Sequence, residues 1–157
     1  MKLIADALDI TKKPERELLA VSDKCHLGTC EWLTGHKDFH RWMDLDGGAD
    51  TEAEIDPFNL VPLSKPSRFL WLHGPPGSGK SVAAGQVIRY LNSFNQDCSY
   101  FFFKNDSKAT VTRLLLNLAY QMAESSFEIR QTFLSMIRNG EEINTQDHTV
   151  IWNTLFL

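Results

Sequence analysis

Long apolar runs are missing from this 157-residue chain: nothing approaches the roughly 18 consecutive apolar residues of a membrane span. The N-terminus, MKLIADALDITKKPE, also lacks the apolar core of a signal peptide, because Asp6 and Asp9 interrupt it. Both absences predict a cytoplasmic protein, or a nuclear one, with no membrane partner. Cysteine is scarce and odd in number, with only Cys25, Cys30 and Cys98, which reads as reduced thiols rather than a disulfide framework. Basic blocks are missing too. Sixteen Lys and Arg stand against twenty Asp and Glu, a net charge of −4, with no run long enough to track a phosphate backbone, so nucleic acid is not an expected partner. There is no internal repeat and no low-complexity tract.

What is there suits one globular domain, since 43% hydrophobic and 11% aromatic residues are enough for a core. Residues 1–45 read as short helices: Leu3, Ile4, Ala7 and Leu8 share one helical face, and Pro14 can open a second helix carrying Leu18 and Leu19. Residues 46–67, rich in Gly, Pro and acidic side chains, read as a linker. From residue 68 to 157 the pattern alternates. Arg68 to His73 and Ser99 to Lys104 are β-prone, and Ala84, Val87, Ile88 and Leu91 between them have helical spacing. A further stripe of Val111, Leu114, Leu115, Leu118, Ala119 and Met122 predicts a second helix. Ser125 and Glu128 have capping-box spacing before a third, which carries Ile129, Phe133, Met136 and Ile137 and ends at Asn139-Gly140. This order predicts an α/β fold: a three-layer P-loop NTPase-type core with an incomplete parallel sheet, preceded by a small helical segment.

The strand-to-helix junction holds Gly74, Pro75, Pro76, Gly77, Ser78, Gly79, Lys80 and Ser81, which match G-x-x-x-x-G-K-[ST] at every fixed position. Glycines permit backbone angles and a close approach that a Cβ forbids, so that successive N–H groups can surround anionic oxygens. The N-terminus of the following helix adds partial positive charge. Lys80 is expected to reach the β- and γ-phosphates, and Ser81 to give a hydroxyl oxygen to Mg²⁺. With Val82 these residues form the expected site for Mg²⁺ and ATP or GTP. A second acid that holds the metal and positions water should close a downstream apolar run. YFFFKND reaches Asp106 only after Lys104 and Asn105, a poor match, and LIADALD precedes the loop with helical period.

These residues lie in a wider pattern: CHLGTCEWLTGHKDFHRWMD, then RFLWLHGPPGSGKS, SYFFFKND and LLLNLAYQMA at characteristic spacing. In this the chain resembles the N-terminal part of a NACHT-type NTPase of the STAND class, in the nephrocystin-like version abundant in fungi. The resemblance implies a nucleotide-driven switch that binds ATP or GTP with Mg²⁺ and controls self-association, with Gly74, Gly79, Lys80 and Ser81 at matching positions. It also implies that the segment before the loop closes over or docks on the nucleotide core. The family's acidic strand, later sensor motifs and repeats have no counterpart up to Leu157, so the resemblance implies a truncated or partial member that binds with little or no hydrolysis.

Other constellations carry less. Cys25, His26, Cys30, His36 and His40 are zinc-type ligands, but the gap between Cys30 and His36 is far shorter than in a two-Cys two-His finger. His73 could touch nucleotide, and Lys104 and Arg113 could contact phosphate or a neighbouring subunit, though such single side chains are usually structural or solvated. A small-molecule or nucleoside kinase is the alternative enzyme. It fits less well, because 73 residues precede Gly74 and only Arg89, Arg113, Arg130 and Arg138 follow. A third alternative is an interaction module with a degenerate nucleotide site, whose apolar VIWNTLFL terminus docks on a protein partner or a second copy.

Overall fold

The computed structural model describes residues 1–11, 13–26, 28–43, 69–103, 110–141, 143 and 145–157. The linker expected at residues 46–67, with Arg68, Lys104, Asn105 and Asp106, lies outside the described residues. Eight helices are found among the described residues: α1 (Lys2–Ala7), α2 (Pro14–Ser22), α3 (Glu31–Thr34), α4 (Lys37–Met43), α5 (Lys80–Ser93), α6 (Val111–Ser125), α7 (Phe127–Arg138) and α8 (His148–Leu155). None is long and apolar enough to cross a membrane.

Local chemistry explains most of these boundaries. Pro14 occupies the first turn of α2, where its missing N–H costs nothing. The Thr110 hydroxyl accepts from the Arg113 N–H at 3.2 Å to open α6. Ser126, one residue later than the spacing suggested, accepts from the Ile129 N–H at 3.3 Å to open α7. Past the end of α7, Gly140 takes a φ of +75°, the left-handed conformation that a side chain disfavours. Asp147 opens α8 by accepting from the N–H groups of Thr149 and Val150, and these bonds hold its carboxyl below the usual carboxylate range.

Two cores organise the chain. The larger joins α1, α6, α7 and α8 through Ile4, Leu8, Leu116, Ala119, Tyr120, Phe133 and Ile151. Arg113 fastens the same region, donating to the Asp9 carbonyl at 2.6 Å and lying 3.4 Å from its carboxylate. The smaller core sets Leu33 and Phe39, from α3 and α4, against Ala83 of α5. Phe39 is fully buried, with Tyr90 edge-on to its ring at 5.5 Å, and its burial contributes about 2 kcal/mol.

The α/β architecture with a parallel sheet is not formed: among the described residues there is no strand. A buried parallel strand needs neighbours along its edges and cover on both faces. Among the described residues no strand lies beside 69–73, Phe69 and Trp71 are 85% and 84% exposed, and Leu70 packs into the smaller core. In the second β-prone stretch the backbone of Tyr100 pairs with a side chain instead of a strand. Its N–H donates to Gln121 Oε1 at 3.1 Å, and its carbonyl accepts from Gln121 Nε2 at 2.9 Å. The rings there stay close at i, i+2, with Phe101 and Phe103 at 5.0 Å, as β-prone residues do, but no ladder forms. The described residues form a helical assembly.

Candidate phosphate-binding loop

Residues 74–79 form an exposed turn that feeds directly into α5. The Ser78 N–H donates to the Pro75 carbonyl at 3.3 Å, and Gly77, third residue of that turn, has φ +80°. Proline second and a positive-φ glycine third are the signature of a type II turn. Gly79 follows at φ +81° as the N-cap of α5, and its carbonyl accepts from the Ala83 N–H at 2.9 Å. At Gly74 a Cβ would lie 2.8 Å from Ser78 Oγ, so an added side chain there would make the serine hydroxyl rotate away.

Lys80 begins α5 and folds back over the turn. Its Nζ donates to the carbonyls of Gly74 at 2.8 Å and Pro75 at 2.7 Å, so the ammonium closes the loop that precedes it. An ammonium has three N–H donors, and two such bonds leave one for a further acceptor. Ser81 and Val82 lie in the first turn of α5, Ser81 exposed and Val82 half-buried. The N–H groups of a first turn point out of the helix toward the loop, along with the positive end of its dipole. The sequence-expected set is therefore together: turn, lysine, hydroxyl and helix N-terminus.

Other expected residues are placed elsewhere. Arg113 is held by Asp9, and Lys104 lies outside the described residues. His73 is exposed beside Gly74. The Cys and His group does not assemble: no three His, Cys, Asp or Glu among the described residues are arranged to hold a metal ion. Cys25 Sγ lies 3.5 Å from Thr29 Oγ1, and His36 Nδ1 accepts from the Asp38 N–H at 3.2 Å.

Sequence reasoning missed a cleft of about 280 Å³ between α2, the end of α5 and α6, lined by Glu15, Asp97, Cys98, Tyr100, Gln121 and Glu124 among others. Burial, and then the charge of Glu15, push the Tyr100 hydroxyl up to about 12. Burial also raises the Cys98 thiol above its ordinary value. One signal for this region was available in the sequence: a glutamine, Gln121, inside an otherwise apolar helical stripe.

The loop and helix together form a glycine-rich turn that closes on a helix N-terminus, with the Lys80 ammonium folded over it. The family model described as Nephrocystin 3, N-terminal, matches residues 59–157, and the chain belongs to that family. No curated protein and no solved structure matches it.

Proposed function

We propose that this protein binds the polyphosphate of a purine nucleoside triphosphate, ATP or GTP, together with Mg²⁺, at residues 74–82. The observation that carries this reading is the loop itself: two left-handed glycines and Lys80 folded over the turn, at the N-terminus of a 14-residue helix. Anionic oxygens would sit against the backbone N–H groups of Gly77, Gly79, Lys80 and Ser81, where the glycines keep side chains out of the way. Lys80 would keep its two carbonyl bonds and give its third proton to a phosphate oxygen, adding one full positive charge. Ser81 would offer its hydroxyl to the metal, with phosphate and water completing the shell. The Mg²⁺ supplies neutralisation of the phosphate charge when bound.

Within its family, we take the chain as the nucleotide-binding part of a NACHT-type signalling NTPase in which nucleotide state controls association. Binding with little or no turnover is the proposed activity, because the loop residues supply charge and hydrogen bonds but no group that positions an attacking water. Self-association fits the exposed Phe69 and Trp71 beside the loop.

The test is titration with fluorescent ATP and GTP analogues in Mg²⁺, beside a Lys80→Ala variant, with phosphate release followed in the same samples. Saturable binding that the variant loses, without phosphate release, supports the proposal. Equal signals from both proteins refute it.

A further inference from the structure

Gly85 lies in the middle of α5, where glycine is the least favourable residue after proline. It is buried, and α2 explains why no side chain is present. A Cβ on Gly85 would lie 3.0 Å from Val21 Cγ1 and 3.9 Å from Leu18 Cδ1. The first distance is tighter than ordinary van der Waals contact, so α2 approaches α5 as closely as it does because the notch is empty. The notch is five residues from Lys80, about 7.5 Å along the helix axis. On another face of α5, Ala83 receives Leu33 and Phe39. The helix that carries the phosphate loop is thus held by residues 14–43, all of them outside the 59–157 family match.

We propose that α2 is an intramolecular clamp on the phosphate-loop helix, seated in the notch at Gly85, and that release of this clamp loosens the loop. Half of this inference, the effect on nucleotide, rests on the phosphate-binding reading above; the clamp itself does not. A helix is ordered chiefly by packing of its buried face, and α5 has few other partners among the described residues. With α2 released, the first turn of α5 should fray, and the loop held by Lys80 should fray with it. A partner that captured α2 would then control nucleotide affinity without touching the loop.

Hydrogen exchange on the full chain tests this with two variants that attack the seat from opposite sides. Gly85→Leu fills the notch with a good helix former, and Val21→Lys leaves α5 unaltered. Leu19→Lys, on the exposed face of α2, serves as the control. Both seat variants should raise exchange in residues 14–22 and in 80–85 by about tenfold, leave α6 protected, and weaken Mg-ATP binding in parallel, while the control changes neither. Release of α2 with unchanged exchange in α5 would overturn the proposal. So would an α2 that stays protected in both variants, or an equal loss of protection in α6. If the unmodified chain binds no nucleotide, the exchange result still decides the clamp, and only the phosphate-binding reading fails.

Discussion

Replacing Gln121 with leucine removes the amide that pairs with both backbone groups of Tyr100 while keeping a side chain of similar size and helix propensity. Gln121 is only 8% exposed, so water has poor access to the groups left behind. Each lost bond costs about 1 kcal/mol net, and a half-buried N–H and carbonyl without partners add to that, giving a loss of about 2–3 kcal/mol. The third bond, from Nε2 to the Asn117 carbonyl at 3.2 Å, adds little, because that carbonyl lies in the helix and has the backbone ladder as well. For a chain of this size, such a loss lowers Tm by about 4–12 °C. Urea unfolding followed by circular dichroism measures the difference, and exchange at the Tyr100 amide locates it. A loss below about 0.5 kcal/mol, with the Tyr100 amide still protected, would refute the claim that a side chain stands in for a strand partner.

Other expectations follow from single contacts. Arg130 donates from Nε to the Ala123 carbonyl at 2.8 Å and from Nη2 to the Glu124 carbonyl at 2.6 Å, closing the end of α6. Arg130→Ala should cost about 1–3 kcal/mol in urea unfolding, and Arg130→Lys should restore only part of it, because an ammonium lacks the planar fork. Gly79→Ala forces a Cβ into a left-handed residue and should cost about 1 kcal/mol, with Gly79→Asn milder; equal thermal melts for glycine and alanine would contradict the observed φ. Burial pushes the hydroxyls of Tyr100 and Tyr120 up to about 12, helped by Glu15 for the first and by a hydrogen bond with Glu124 for the second. Since the folded values lie above the ordinary 10.0, the unfolded chain gives up these protons first. Stability is therefore full below pH 10 and falls toward about pH 12, with tyrosinate absorbance and loss of helix rising together. Ionisation of the Tyr100 or Tyr120 hydroxyl itself near pH 10, with helices intact, would contradict it.

The sequence was most legible where local chemistry decides the outcome. Pro14, the Asn139-Gly140 stop and the spacing of Ile88 and Leu91 each act within a turn or two of chain, and α2, α7 and α5 lie where these signals put them. The turn at residues 74–79 was legible as a turn for the same reason, since Gly77, Gly79 and Lys80 act on backbone only a few residues away. The sheet was not, because a strand is defined by its neighbour, and no period in FLWLH or SYFFFK says whether one is present. The stripe of α6 was legible in part: Leu115 and Ala119 are buried as expected, but Val111 is half exposed, and Leu116, Tyr120 and Gln121 are buried as well. Packing from α1, α7 and α8 reaches that helix from several sides, so its buried face is wider than one apolar stripe. Gly85 gave a signal in plain view, a mid-helix glycine, but only the position of α2 gives it a meaning.

The most direct measurement is an amide NMR titration of the full chain with Mg-ATP and Mg-GTP, with inorganic tripolyphosphate alongside. The account expects the amides of Gly77, Ser78, Gly79, Lys80 and Ser81 to shift saturably with nucleotide, and the shifts to vanish in Lys80→Ala. Shifts confined to the cleft beside Tyr100 and Glu124, or unshifted loop amides at saturating nucleotide, would contradict the assignment of this loop as the phosphate site.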